Sequence, residues 1–362
     1  MEKLKIIGWD IGGANIKATK IVYNQRQKKI ESVLSTSKYF AMWDKNQNPL
    51  EVIAGIYQNF KEADYFAITM TAELADRFSA KIEGINFIID LFKDNFEDKK
   101  IYFYNNQAEF LKVEELKNSI EKSMSLAAAN WTASASFLAE FKKDFILFDM
   151  GSSTIDLIPV INNKIAALGT TDVERLKQGE LIYHGFLRSN LSNLSSKLPY
   201  QGQMIDVINE YFAATADLHL LKDIITSAEY TIRPADGGLK SKMAAASRIA
   251  RMISLDLNSI TESQLNLIID YIYNQEISLI YNKLLQLYSR SSLNLQIPLL
   301  INSEAAHFKN DLKMRSNFKF VELTKLIPVL DNNILTTTSI ASLLLKKIIA
   351  KDLVKLVRLN DE

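Results

Sequence analysis

Asp10-Ile11-Gly12-Gly13-Ala14-Asn15-Ile16 lies without a gap over Asp149-Met150-Gly151-Ser152-Ser153-Thr154-Ile155. In each copy an apolar run, Leu4–Trp9 or Phe145–Phe148, ends in the acid. A small-residue turn follows, and then a second run begins. Glycine enters turn conformations that a Cβ obstructs, so both copies read as strand–turn–strand units. An internal repeat of such a unit predicts two related lobes, with a boundary near residue 144: a first lobe over 1–143 and a second over 144–362.

Working outward, Asn15–Tyr23 and Ile30–Tyr39 read as further strands, so three antiparallel strands open the chain. Pro49–Glu62 has helical spacing behind a proline suited to a first turn. Tyr65–Met70 reads as a strand, Ile85–Phe96 as a helix, Ile101–Tyr104 as a strand and Glu109–Ala139 as mostly helical. After the second turn, Thr154–Ile161 and Ile165–Leu168 repeat the opening pattern. Gly179–Gly185 reads as a short strand and turn. From Met204 the chain is mainly helical, with late strands at Pro298–Asn302 and Phe318–Leu323. A helical insertion is expected in the second lobe, and a closing helix, Thr337–Leu356, is expected to pack back on the first.

Composition narrows the function classes. The 362 residues exceed the usual size of a single core. Lys plus Arg is 43 against 42 for Asp plus Glu, so no basic excess marks a nucleic-acid partner. There is no cysteine, which removes thiol nucleophiles, disulfides and thiolate metal sites. The histidines, His184, His219 and His307, are far apart and lack metal-ligand spacing. They read as structural or exposed. The N-terminus runs straight into a strand without a signal-peptide pattern, and the C-terminal apolar stretch is broken by charges. A cytoplasmic protein without a membrane partner is expected, and self-association into a homo-oligomer is open.

The chemistry of the repeat is a carboxylate beside exposed turn amides. Such amides form a concave anion site, and the carboxylate holds a divalent cation that bridges to phosphate. One D-x-G turn is an ordinary hairpin feature; two at equivalent places point to a phosphate site with Mg2+. Gly12, Gly13, Asn15, Gly151, Ser152, Ser153 and Thr154 are the phosphate-binding candidates, with Asp10 and Asp149 as metal ligands. Lys17 reads equally as a phosphate contact and as a solvated strand lysine.

These paired motifs resemble the actin/sugar kinase/heat-shock 70 superfamily. That implies an α/β, two-lobed actin-like (ribonuclease H-like) ATPase fold with an interlobe cleft. The opening around Gly12–Ala18 is similar to the branch of the hydantoinase/oxoprolinase family linked to tetrahydromethanopterin C1 metabolism and methanofuran biosynthesis. So are Thr69–Asp76, Ala129-Asn130-Trp131, Gly179–Gly185, Glu210–Asp217 and Arg248–Met252. The resemblance implies a transferase that joins a furan-methyl diphosphate to the phenol of a γ-glutamyl tyramine or tyrosine-like acceptor, releasing diphosphate. Superfamily members that use ATP carry a glycine-rich adenosine turn. Here the matching stretch, Leu300–His307, has no glycine, which disfavours ATP. An ATP-dependent small-molecule kinase and a non-catalytic nucleotide-binding protein are the alternative readings.

A phenol acceptor calls for a general base. Glu73 is the first candidate and Asp156, at the place of Lys17 in the second hairpin, the second. Should a helix start after Met70, Glu73 and Asp76 would share a face and Thr71 would cap it. Thr71, Asn130 and Arg248 are the candidate substrate contacts. Asp156 and Arg248 also have plain structural readings, as a surface strand acid and a salt-bridge partner, and Trp131 beside Asn130 reads as a buried core residue.

Overall fold

The computed structural model describes residues 2–116, 119–327 and 334–350. The chain opens with β1 (Lys3–Ile11), β2 (Asn15–Asn24) and β3 (Lys29–Tyr39), followed by β4 (Tyr65–Met70), β5 (Lys100–Tyr104) and β6 (Phe110–Lys112). They form one sheet in the order β3-β2-β1-β4-β5-β6. β1 pairs antiparallel with β2 and parallel with β4. A strand in that central place is covered on both faces, and β1 is accordingly apolar from Ile6 to Trp9 and buried. β3, at the edge, is polar and mostly exposed.

Two helices cover this sheet. In Pro49–Phe60 the side chain of Asn48 accepts from Leu50 N and the proline sits in the first turn. Lys81–Lys93 buries Ile85, Ile88, Ile89 and Phe92. Trp9 lies edge-on to Phe66 and Phe92, each ring centre 5.7 Å away. The stretch 109–139 is less helical than its sequence implies. It starts with β6 and then breaks into short helices, ending with Asn130–Ala139.

The closing helix spans Leu335–Ile349; the remainder of the expected span, beyond 350, lies outside the described residues. This helix packs on β1, β2 and Asn130–Ala139. Thr337 Oγ1 is 2.6 Å from Thr19 Oγ1 of β2. A Cβ on Gly8 would lie 2.2 Å from the Thr337 carbonyl oxygen. Gly8 therefore admits the helix backbone to the sheet.

The second sheet contains β7 (Phe145–Met150), β8 (Ile155–Ile161), β10 (Leu181–Ile182), β13 (Leu299–Ile301) and β14 (Phe320–Glu322), in the order β10-β8-β7-β13-β14. This repeats the first sheet, with β10 in the place of β3. The expected third strand, Ile165–Leu168, is only the stub β9 (Lys164–Ile165) on Val160 and Ile161. β10 takes the other end of the same edge, at Ile155 and Asp156. β11 (Lys197–Tyr200) and β12 (Gln203–Asp206) make a separate ribbon. The long helix Glu262–Tyr288 starts at a capping box between Thr261 and Gln264.

The chain forms two compact units. One holds the chain to Phe145, Ile158–Asp172 and the described residues from Leu323 onward; the other holds Ile146–Leu157 and Val173–Glu322. The division is not the single cut at residue 144, because 158–172 and the closing helix go with the first unit. Among the described residues no helix is long and apolar enough to cross a membrane.

Replacing Gly8 with Ala should push the closing helix off β1 and cost about 1–3 kcal/mol by overpacking. Urea unfolding measures this, and a wild-type midpoint would show that the helix does not depend on the close approach.

Candidate active site

The two turns close with the same hydrogen bond. Gly12 N–H donates to Asn15 O at 3.0 Å, and Gly151 N–H donates to Thr154 O at 2.8 Å. The repeat read from the sequence is thus a repeat of geometry. In neither turn do the next two amides, Gly13 and Ala14 or Ser152 and Ser153, donate a hydrogen bond among the described residues. Their carbonyls are occupied instead. Phe40 N donates to Ala14 O and Met42 N to Gly13 O. Leu187 N and Arg188 N donate to Ser152 O. The turns are fixed from behind and leave amides for an anion.

In the first unit Asp10 is the next-to-last residue of β1, and Lys17 is its partner across the ladder to β2. Asp10 is buried, and its Oδ1 has no hydrogen-bond partner among the described residues. Burial raises its pKa, and the charge of Lys17 opposes that shift. A buried oxygen without a partner suits a bound cation. Thr71 N donates to Ile11 O at 2.9 Å. Its hydroxyl would be 3.6 Å from a Cβ on Gly12, so Thr71 stands beside the turn.

Glu73 does not lie on a helix. Residues 71–80 are turns, and the helix starts at Lys81, so Glu73 and Asp76 share no helical face and Thr71 caps nothing. Asp76 is exposed, whereas Glu73 is only 2% exposed. Its backbone fits because Gly84 has no side chain: a Cβ there would be 2.4 Å from Glu73 O. Burial raises its pKa to about 7, with its own amide, Lys81 and the Ala128 amide opposing. Ala128 itself holds φ at +47°, a strained value for a residue with a Cβ. The Glu73 Oε2 has no partner among the described residues. A carboxyl that titrates near neutrality is suited to proton transfer.

In the second unit Asp149 is half-buried near the end of β7. Asn302, which the sequence reading passed over, organises that end. Its Nδ2 donates to Asp149 Oδ1 at 2.8 Å and to Met150 O at 3.0 Å, and its Oδ1 accepts from Met150 N and Ala305 N. Asn302 lies in the glycine-free stretch Leu300–His307. An Asn just before a short helical turn is the one signal in the sequence that points to it.

Other expected residues are committed elsewhere. Asp156 is ion-paired with the buried Arg175 at 2.6 Å, so its charge balances a guanidinium. Arg248 is fully buried. Its Nε and Nη2 donate to Asp217, and its Nη1 donates to Asp236 and Leu239 O. No donor is left for a substrate carboxylate, which corrects that assignment. Asn130 is half-buried at the start of its helix. Trp131 lines a cavity of about 1330 Å³ in the first unit with Tyr104, Ser136 and Glu140, and that cavity includes neither turn. His184 and His219 are buried against Glu276, and His307 stacks on Phe186.

Duplicated hairpins of this kind, each with an acid before a glycine turn, define the actin-like ATPase fold. A solved structure of nucleotide-free acetone carboxylase shares it, with a TM-score of 0.51 over 94% of this chain and 70% of that chain at 8% identity. Residues 64–278 match the hydantoinase/oxoprolinase family model. The chain is 36% identical over 293 residues, 81% of its length and 84% of the relative's, to the (4-{4-[2-(gamma-L-glutamylamino)ethyl]phenoxymethyl}furan-2-yl)methanamine synthase of Methanocaldococcus jannaschii. A protein of the same name from Methanococcus vannielii is 42% identical over 130 residues, 36% of this chain and 58% of that one. The chain belongs to the hydantoinase/oxoprolinase family.

The buried Glu73 makes stability pH-dependent. Below about 4.5 it is protonated folded or unfolded and costs nothing; between 4.5 and about 7 only the unfolded form ionises, so stability falls as pH rises. Above that range the loss is constant at about 3 kcal/mol. Glu73→Gln should abolish this slope and be the more stable protein at pH 8. Parallel stability–pH curves for the two proteins would show that Glu73 is not held in a desolvated site.

Proposed function

We propose that the protein forms an aryl ether between a furan-methyl diphosphate and the phenol of a γ-glutamyl tyramine-like acceptor, releasing diphosphate, as a step of methanofuran biosynthesis. One observation carries this: the 36% identity, over most of both chains, to a synthase whose named product is a phenoxymethyl furan with a γ-glutamylaminoethyl arm. The free turn amides and the raised pKa of Glu73 support it, since the reaction needs an anion-holding leaving-group site and a base.

In this reading the carbon–oxygen bond between the furan methylene and the diphosphate breaks, and the electron pair leaves with diphosphate. The furan ring delocalises the positive charge that develops on the methylene. The phenol oxygen forms the new bond, and its proton passes to the Glu73 carboxylate. Each unit by itself offers amides to phosphate oxygens, Gly13 and Ala14 beside Lys17 in the first and Ser152 and Ser153 in the second. Asp10 in its unit and Asp149 in its own are the acids that would hold Mg2+, which when bound supplies charge compensation for the leaving group. A phenol near pKa 10 is poorly matched to an ordinary carboxylate, and burial of Glu73 narrows that gap.

Purified protein with the furan-methyl diphosphate and tyramine derivatives should yield ether and diphosphate in equal amounts. Failure to form ether from any of these phenols would overturn the reading. Asp10→Asn and Asp149→Asn should each lower kcat by about 100-fold or more while the fold persists. Near-wild-type rates in both would place the diphosphate site elsewhere.

Glu73→Gln should lower kcat by about 10²–10⁴-fold with diphosphate affinity little changed. Fluorinated, more acidic phenols should partly restore it, whereas an equal loss across the acceptor series would remove Glu73 as the base. Because Asn302 stands where an adenosine turn would be, magnesium pyrophosphate should protect against thermal unfolding at least as well as magnesium ATP. Protection by ATP alone would favour a kinase.

A further inference from the structure

Glu276 is fully buried on the apolar face of the long helix Glu262–Tyr288, among Ile272, Ile277 and Ile280. A carboxylate there is costly, and a packed apolar residue would ordinarily serve stability as well or better. Its two oxygens meet two imidazoles. Oε1 is 2.7 Å from His184 Nε2, and Oε2 is 2.9 Å from His219 Nε2. The other ring nitrogen of His219, Nδ1, is 2.8 Å from the carbonyl oxygen of Phe186.

That carbonyl belongs to the bed of the second turn. The Phe186 amide donates to Gly151 O at 2.9 Å, and the next two amides donate to Ser152 O. Gly185 lies so close that a Cβ on it would be 2.4 Å from the Ser153 backbone. The Phe186 residue thus faces the turn with its N–H and His219 with its C=O. Thr215 Oγ1 donates to Gly185 O at 2.8 Å and steadies the other end of the bed.

We infer that Glu276 is a positioning residue for the Gly151–Ser153 turn, acting through His219 and the Phe186 peptide, with His184 as the second strut. The role in turnover rests on the reading of that turn as a diphosphate site; the mechanical link does not. A carbonyl only accepts, so His219 Nδ1 carries a proton. Burial would push the Glu276 pKa up, but the two imidazoles outweigh it and hold it down at about 2. An ionised carboxylate also only accepts, so His219 carries a proton on Nε2 as well. The imidazole is then locked at both ends and cannot turn away from Phe186.

Glu276→Leu removes the lock and keeps the packing. Glu276→Gln keeps a complete network: its carbonyl accepts from His184, and its amide donates to a neutral His219 that still donates to Phe186. In the full-length protein, hydrogen–deuterium exchange of the peptide spanning 185–188 should accelerate at least tenfold in Glu276→Leu and stay near wild type in Glu276→Gln. Peptides of the first unit report global opening and should not change. The KM for the furan-methyl diphosphate should rise about tenfold in the Leu variant alone, the effect of a loosened hydrogen-bonded site.

Unchanged exchange in Glu276→Leu, or equal acceleration in both variants, overturns the inference. Should Glu276→Leu not fold, His219→Leu against His219→Asn makes the same comparison, because Asn places a donor near the Nδ1 position. Accelerated exchange with an unchanged KM would leave the positioning role standing and remove the diphosphate reading of the turn.

Discussion

The hydrogen bond that closes each turn, from a glycine amide to the carbonyl three residues on, sets the terms for both candidate sites. It draws the chain tight enough that the following two amides face outward. It also leaves an acid at the end of the preceding strand. Amides attract an anion and the acid repels one, so the two are compatible with phosphate only through a cation or a proton. The burial of Asp10 sharpens this conflict, since its Oδ1 has no hydrogen-bond partner among the described residues. A Cβ on Gly12 would lie 2.9 Å from Asn15 O and crowd the first turn, whereas one on Gly151 would sit an ordinary 3.5 Å from Thr154 O.

The turns are alike, but what stands behind them is not. In the first unit Phe40 and Met42 occupy the turn carbonyls; in the second, residues 186–188 do so. The second support is itself tied to a buried acid on a distant helix. The requirement is common, since a buried carbonyl must be satisfied, but any passing strand or loop can meet it. Duplication therefore preserved the turn and left its backing free to differ.

The opening strands are legible because alternation and glycine report backbone geometry directly. β4 was read to the residue for the same reason. β9 was overread: Ile165–Leu168 is apolar enough for a strand, yet the edge it would fill is already taken at one end by β10. Glu73 could be picked out after β4, but not its turn, which depends on Gly84 eleven residues on making room for it. Arg248 and Asp156 misled because a charged residue carries no mark in sequence of the partner that claims it. The His184–Glu276–His219 group left no trace either, as its members are far apart in the chain and meet only through folding. Asn302 lies in a stretch without glycine, and its side chain shows its role only through its bonds to Asp149 and Met150.

The contact between Thr19 and Thr337 joins residues 318 apart in sequence. Its consequence falls during synthesis. β1, β2 and β3 leave the ribosome well before the helix that seats on Gly8, whose Thr337 follows Thr19 by 318 residues. The face of β1 and β2 beneath that helix must stay uncovered, or be shielded by a chaperone, until Leu335–Ile349 has been made. Long-range closure of this kind slows folding and prolongs exposure of apolar surface. A premature stop before residue 335 would therefore leave the first hairpin, with its acid and its free amides, on a sheet that has lost one of its covers.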